Sequence, residues 1–465
     1  MPSPPKILAV AALTVAATLL PLGAADASPF GSLDAGSLDS GSASSGSTSG
    51  SGDAQHETST CFWFGPTFSA TNPELNYAFP DTGALYWAAQ FDIPEGAELT
   101  IKGDFAHARY QSLNSYNVTN NTPTAALNDV STVPDQGSRN PYLPGANRDG
   151  AESRSYRATV LDEVPPTEGA APNTLYAGVP GQERTTLIYR LYLPDHGRDI
   201  TGGVGLPTPE LSLASGEVLT GESLCSAVEA ASTTPKVDVL AMDKYLSLRD
   251  QPGKPATFPA EQEPVWRAYY NTQFGLGCSY LGKCEGTPAR VGGQYSNIDN
   301  NYVNAYVSRG FGQVLTLTGT LPSTPRTLDG AQRTDENVDM RYWSMCTNES
   351  IATTRVTGCL FDEEIPVDAA HRYTIVASLP ADRPANATEA CGIAWLPLPA
   401  DGDGAGHTED GYLILRNMLP SNTFGHSVQD TKVPGDERAV MGEYLPEGKY
   451  SSKSEFEAQG CTPVR

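Results

Sequence analysis

Residues 86–103 read YWAAQFDIPEGAELTIKG, and residues 302–319 read YVNAYVSRGFGQVLTLTG. Set side by side without gaps they share Tyr, Ala, Gly, Leu, Thr and Gly, six identities in 18 positions. Further matches follow in the same order. Arg109-Tyr110-Gln111-Ser112-Leu113 answers Arg341-Tyr342-Trp343-Ser344-Met345, and Arg154-Ser155-Tyr156 answers His371-Arg372-Tyr373. LIYRLYLP at 187–194 answers LILRNMLP at 413–420, with five identities in eight. Collinear order over so long a span makes coincidence a poor account, and points to an internal repeat in which each copy is long enough to close its own core.

The texture around these segments is that of β-structure. Short apolar or alternating runs at 85–91, 99–103, 109–116, 156–161 and 186–193 are broken every ten or so residues by Pro, Gly, Asn and Asp, the pattern of an antiparallel all-β domain. The 37 prolines and 45 glycines agree, because both are poorly tolerated inside long helices. The expected fold is therefore mainly β, with two tandem jelly-roll-like or β-sandwich domains at 61–215 and 290–465, the latter carrying a C-terminal tail. The connector, 216–289, is expected to be partly helical at 237–248 and 261–271. The second of these helices is suggested by Trp266, Tyr269 and Tyr270 at helical spacing, with Pro264 in the first turn.

The N-terminus predicts export. Lys6 precedes an apolar run over 7–22, and Ala25-Asp26-Ala27 supplies the small-x-small pattern for cleavage before Ser28. Residues 1–27 are thus expected to be a signal peptide, and 28–60, built largely from Gly, Ser and Asp, a flexible tether. No later stretch approaches the ~20 apolar residues of a membrane span. The eight cysteines (Cys61, Cys225, Cys278, Cys284, Cys346, Cys359, Cys391, Cys461) are even in number and lack metal spacing, so disulfides are expected. Proximity suggests Cys278 with Cys284 and Cys346 with Cys359, leaving Cys61 with Cys225 and Cys391 with Cys461. With 54 acidic against 30 basic residues the net charge is −24, which repels phosphate backbones and anionic lipid surfaces. A nucleic-acid role is not expected.

The strand ARYQSLNSYN at 108–117, with VPDQGSRNPY at 133–142 and YRLYLPD at 189–195, resembles a bacterial domain of unknown function whose members carry an A-R-[YF]-x-S-[LM] strand and recur in exported actinobacterial proteins. The resemblance implies a jelly-roll-like β-sandwich and assigns no catalytic residue. The second copy departs from it, with Met340 in place of Ala108 and no counterpart of the GSRNPY loop.

Several constellations could carry chemistry. The G-x-S-x-G elbow and the H-E-x-x-H zinc motif are absent. Asp104, His107 and Arg109 lie within six residues of one another, where a His beside a carboxylate could act as general base and the Arg could hold an anionic group; a salt-bridged turn is the structural alternative. Asp195 and His196 form a second such pair. Because the second copy keeps the Arg and the Tyr, as Arg341 and Tyr342, but has no His or Asp at that spacing, shared residues are read as scaffold and unshared ones as functional. Arg190 and Arg416, like Arg109 and Arg341, are accordingly read as strand arginines paired with internal carboxylates. Arg139, Tyr142 and Arg148 in the loop after residue 133 are the candidate ligand-binding residues. Asp401 and Asp403 begin a calcium-like loop, but Ala405 and Tyr412 stand where the remaining EF-hand carboxylates should be. The aromatic run at 61–65, CFWFG, is either a partner surface or a disulfide-anchored core strand.

Two functional readings remain. The first is a secreted or cell-envelope-associated protein with a binding or structural role, its partner an envelope glycan, lipid or protein; the second is an extracellular hydrolase. The absence of a recognisable catalytic motif favours the first, and no cofactor is implied.

Overall fold

The structure, a computed structural model, describes residues 59–461 apart from 151, 183, 232–234, 238–239, 255–257 and 336. The expected signal peptide, 1–27, and nearly all of the expected tether, 28–60, lie outside the described residues. Ten strands build the first half: β1 (Phe64–Thr67), β2 (Ala84–Asp92), β3 (Glu98–Asp104), β4 (Ala108–Tyr116), β5 (Pro123–Asn128), β6 (Ser155–Leu161), β7 (Thr174–Tyr176), β8 (Arg184–Pro194), β9 (Thr208–Ser212) and β10 (Val218–Leu219). They form sheet I, ordered β1-β2-β8-β4-β5, and sheet II, ordered β10-β9-β3-β6-β7. After α1 (Gly221–Ala227), α2 (Met242–Arg249), β11 (Arg267–Ala268) and α3 (Thr272–Leu281), the second half follows. It comprises β12 (Asn300–Ser308), β13 (Val314–Thr320), β14 (Met340–Asn348), β15 (Val356–Phe361), β16 (Arg372–Ser378), β17 (Ala394–Pro397), β18 (Asp410–Pro420) and β19 (Glu447–Ser451), with short helices α4 (Glu437–Met441) and α5 (Lys453–Glu457) near its end. Sheet III is ordered β11-β12-β18-β14-β15 and sheet IV β17-β16-β13-β19. Sheets I and III thus follow one strand order, and the parallel pair β6–β7 of sheet II has its counterpart in β16–β17 of sheet IV.

Each half is a sandwich closed around its own core. In the first, Trp87 and Phe91 of β2 and Leu187 and Leu191 of β8 meet Leu99, Ile101 and Val160 of sheet II. In the second, Val303, Trp343, Leu413 and Leu415 meet Leu315, Leu317 and Ile375. The mainly-β sandwich fold expected from the alternation is the fold observed. One close approach is common to both halves. Gly103 pairs with Tyr156 across β3 and β6, and Gly319 with Tyr373 across β13 and β16. A Cβ at either glycine would stand 2.7 or 2.8 Å from the partner's phenol oxygen, so the ring lies over the glycine.

Sheets I and III are covered on both faces, and every residue of β4 and β14 is buried. Their outer faces pack against each other through Tyr110, Ile188 and Tyr192 from one side and Tyr342 and Met418 from the other. The Tyr192 and Tyr342 rings meet edge to face, with centroids 5.1 Å apart, a geometry worth about 0.5–1.5 kcal/mol beyond area burial. The described residues between 59 and 461 accordingly form one compact unit.

The connector departs from expectation in one place. The helix expected at 261–271 is not formed. Arg267 and Ala268 instead pair with Asn304 and Val303 of β12, and the buried residues are Trp266, Ala268 and Tyr270, a period of two rather than 3.6. The helix of this region is α3, which begins where the expected one ends. Asn271 is its N-cap and accepts the Phe274 N–H, while Gly282 closes it in the left-handed conformation. The first connector helix, expected at 237–248, is α2. The disulfides are Cys61–Cys225, Cys278–Cys284, Cys346–Cys359 and Cys391–Cys461, the pairs that proximity suggested. Phe62 and Trp63 beside the first are core residues. Among the described residues no helix is long and apolar enough to cross a membrane.

Candidate functional site

The polar contacts between sheets I and III are reciprocal. Arg109 of β4 donates to both oxygens of Asp362, just after β15, at 2.6 and 2.7 Å, and to Glu363. Arg341 of β14 reaches back to Asp129, just after β5, at 3.2 Å. Tyr110 donates to Asp299 at 2.7 Å, and Tyr342 to Asp81 at 2.8 Å. These buried pairs hold the registry of one sheet upon the other, and removing one partner of such a pair strands a charge.

Between the two sheets and the connector lies a cavity of about 150 Å³. Its centre is a quartet of strand residues. Tyr86 stands opposite Arg190 on β2 and β8, and Tyr302 opposite Arg416 on β12 and β18. Each guanidinium lies over the facing ring, at 5.6 Å for Arg190 on Tyr86 and 5.9 Å for Arg416 on Tyr302. Both phenol oxygens accept a backbone N–H at 3.2 Å, from Asp81 and from Asn297 respectively. Burial, reinforced by the nearby Asp81 charge, pushes the Tyr86 phenol up to about 12, so it is neutral and keeps its proton to donate. Leu240 and Leu276 of the connector, with Ile351, Ile414, Phe68 and Tyr412, make much of the remaining wall apolar. Among the described lining residues there is no Asp, Glu, His, Cys or Lys. The arrangement can therefore enclose and orient a small molecule, and the hydroxyls of Thr272, Ser296 and Thr354 in its wall have no imidazole, carboxylate or amine of the described lining beside them to act as base.

The residues singled out from sequence fall elsewhere. Asp104 is exposed at the end of β3, while Arg109 is fully buried in its ion pair, so the expected trio is not assembled. His107 lies 3.3 Å from Asp149 and contacts Arg154. Burial and the charges of Arg154, Arg198 and Arg333 lower its pKa to about 4, and it lines neither this cavity nor a smaller one beside Leu398. Asp195 accepts from Arg333 at 2.6 Å and is ion-paired with Arg148 at 2.7 Å, whereas His196 is exposed. Of the three loop candidates only Arg139 is exposed, paired with Glu152 at 3.2 Å. Tyr142 is fully buried and donates to the Ala106 carbonyl at 2.9 Å. Arg148 spends its guanidinium on the Thr327 and Ala331 carbonyls and on Asp195. Tyr142 and Arg148 hold the loop in place and are not free to bind.

The acidic loop at 401–410 is also committed internally. Asp403 accepts the Ala405 N–H at 2.8 Å, the His407 N–H at 3.0 Å and the Tyr245 hydroxyl at 2.8 Å. His407 bridges Asp403 at 2.6 Å and Asp250 at 2.8 Å, and Arg249 donates to Asp410 at 2.8 Å. Asp401 is exposed. The Asp403 lone pairs that calcium would need are thus taken by donors, and Arg249 adds a positive charge beside Asp410. The His107, Asp149 and Asp195 group is similarly crowded by guanidinium groups, and the Cys346 and Cys359 sulfurs beside Asp81 are oxidised, so neither group suits a cation.

Sequence reasoning met Tyr86, Tyr302, Arg190 and Arg416 as matched positions and assigned them to the scaffold. Arg416 fits that reading in part, with Asp81 3.7 Å from its Nε. Arg190 does not: it donates to the Tyr116 hydroxyl and the Tyr295 carbonyl. The available signal was the match itself, because a site formed between two similar halves is lined by the same position from each.

No protein-family model matches the chain. No curated protein matches it either. Among solved structures, similarity is found to an uncharacterised protein from Burkholderia cenocepacia, with TM-score 0.42 and 14% identity over 81% of this chain and 82% of that one. The VPA0106 protein from Vibrio parahaemolyticus is similar with TM-score 0.35 and 12% identity over 77% of this chain and 89% of that one.

Proposed function

We propose that this is an exported, non-catalytic binding protein that takes a small organic molecule into the cavity between sheets I and III. The observation that carries the reading is the cavity's composition: a largely apolar enclosure with a few convergent polar groups, and no acid–base pair in its described lining. A volume of about 150 Å³ is comparable with the engineered apolar cavity of similar size that admits benzene. The apolar run and small-x-small pattern at the N-terminus support export, and the four disulfides are in keeping with an oxidising compartment.

The test is a thermal-shift screen of the mature chain against benzene-sized aromatic and aliphatic compounds, neutral and charged, beside the Ile414→Trp variant. Ile414 lines the cavity, and the larger ring fills it. At ligand concentrations of about 100 times Kd, binding stabilises the folded state by about 2.7 kcal/mol. A rise in Tm for the natural protein that vanishes in a cooperatively folded Ile414→Trp variant is the expected result. Equal shifts in both proteins would place binding outside the cavity, and catalytic turnover of a panel compound would favour the hydrolase reading instead.

A further inference from the structure

We infer that the occupant of this cavity is a monocarboxylate whose carboxylate is seated on Arg190, an inference that rests on the binding reading above. Its basis is the charge balance of the quartet. Arg416 has a counter-charge in Asp81, 3.7 Å away. Asp81 is itself anchored by the hydroxyls of Tyr342 and Ser344, at 2.8 and 2.6 Å. Arg190 is 2% exposed, yet among the described residues no carboxylate oxygen lies within 4.0 Å of its nitrogens. Its two hydrogen bonds go to neutral acceptors, the Tyr116 hydroxyl and the Tyr295 carbonyl. Tyr116 donates its own O–H to the Ser296 carbonyl at 3.0 Å, so it remains a phenol.

A guanidinium cannot shed its proton to escape burial, and a buried charge is costly until it is paired. Two of its five N–H groups are used. The Arg190 Nε is buried with no partner, and each terminal nitrogen retains one N–H. Three N–H groups of the planar fork thus remain to be satisfied, and a carboxylate is the acceptor whose paired oxygens suit a guanidinium. The Tyr86 and Tyr302 phenols, both holding a backbone N–H on their oxygens, have O–H groups to add. With Asp81 already balancing Arg416, the cavity has room for one negative charge. Its size limits the body to about six carbons, as in benzoate, cyclohexanecarboxylate or hexanoate.

The test compares benzoate with benzamide, its neutral isostere, and with the dianion phthalate, by calorimetric titration of the mature protein near pH 7. Benzoate is expected to bind at least tenfold tighter than benzamide, with phthalate weaker than benzoate. Arg190→Met is expected to abolish the preference for benzoate while benzamide still binds. Tyr86→Phe keeps the ring and loses only the hydroxyl, and should weaken benzoate several-fold with benzamide unchanged; it serves where Arg190→Met folds poorly. Benzamide binding as well as benzoate to the natural protein would overturn the monocarboxylate inference and leave the cavity reading standing. If none of the three probes nor any neutral compound of the screen binds, the cavity reading falls, and the inference with it.

Discussion

A single methyl group is enough to probe how tightly these sheets are built. Gly319 lies in β13 beneath the Tyr373 ring, and the Tyr373 hydroxyl is buried without a hydrogen-bond partner. Gly319→Ala is expected to lower stability by about 1–3 kcal/mol through overpacking, against about 0.4–1 kcal/mol returned by a less flexible unfolded chain. Adding Tyr373→Phe removes the nearest atom and should recover part of the loss. Urea unfolding of the two variants measures both effects; full stability in Gly319→Ala would show that the ring yields freely. At this scale the sequence was legible only in part. Gly103, Gly319, Tyr86 and Tyr302 stood out as matched, but matching alone does not say whether a residue packs or binds. His107 looked chemically poised because Asp104 and Arg109 were near in sequence. The chain sends those three side chains to different surroundings.

Among the elements, α2 depends most on titratable groups. Tyr245, Arg249 and Asp250 at or beside that helix are held by Asp403, Asp410 and His407 from the loop leading into β18. Burial works against the charged form of His407, but the hydrogen bond and charge of Asp403, with Asp250, outweigh it and raise its pKa. A raised folded pKa means a contribution that is complete below the ordinary His value of about 6.5 and is lost as pH rises through the folded value. His107 has the opposite sign. Lowered to about 4, it favours the folded state above about 6.5, and that advantage is lost as pH falls toward 4. Urea midpoints measured from pH 4 to 9 should therefore differ from those of His407→Gln along the alkaline limb, and from those of His107→Gln along the acid limb. Flat difference curves would mean that neither ring senses its neighbours. The strands themselves were well marked by alternation. The expected helix at 261–271 misled because Trp266, Tyr269 and Tyr270 satisfy helical spacing, while the residues actually buried, 266, 268 and 270, satisfy the strand period equally well.

At the scale of the whole molecule the decisive fact is that sheets I and III have no solvent face. Gln111, Ser112, Asn114 and Ser115 of β4 are polar and are distributed over both faces of the strand, yet all are buried. Some of their hydrogen bonds are local, as with Asn114 to Ser112 at 2.8 Å and Ser115 to Thr124 at 2.8 Å, while the Asn114 side-chain oxygen also accepts the Ile298 N–H at 3.5 Å from the second half. Polar strand residues do not reveal whether water or a second sheet will cover them, so the cavity between the sheets could not be read from either half alone. Burial on both faces couples the halves, and thermal unfolding of the protein should be a single transition by calorimetry and by near- and far-UV circular dichroism. Two resolved transitions would mean that the sandwiches are stable without each other. The disulfides place this coupling in sharper terms. Cys61–Cys225 joins residues that both precede Cys278, and the other three bonds join residues that all follow Cys225. Covalently the chain is two stapled pieces on a single thread. One backbone cut between Cys225 and Cys278 would turn it into a two-chain protein, its subunits kept together without any covalent bond, by the packing of one sheet on another and by buried arginine and tyrosine hydrogen bonds such as those of Arg109, Arg341, Tyr110 and Tyr342.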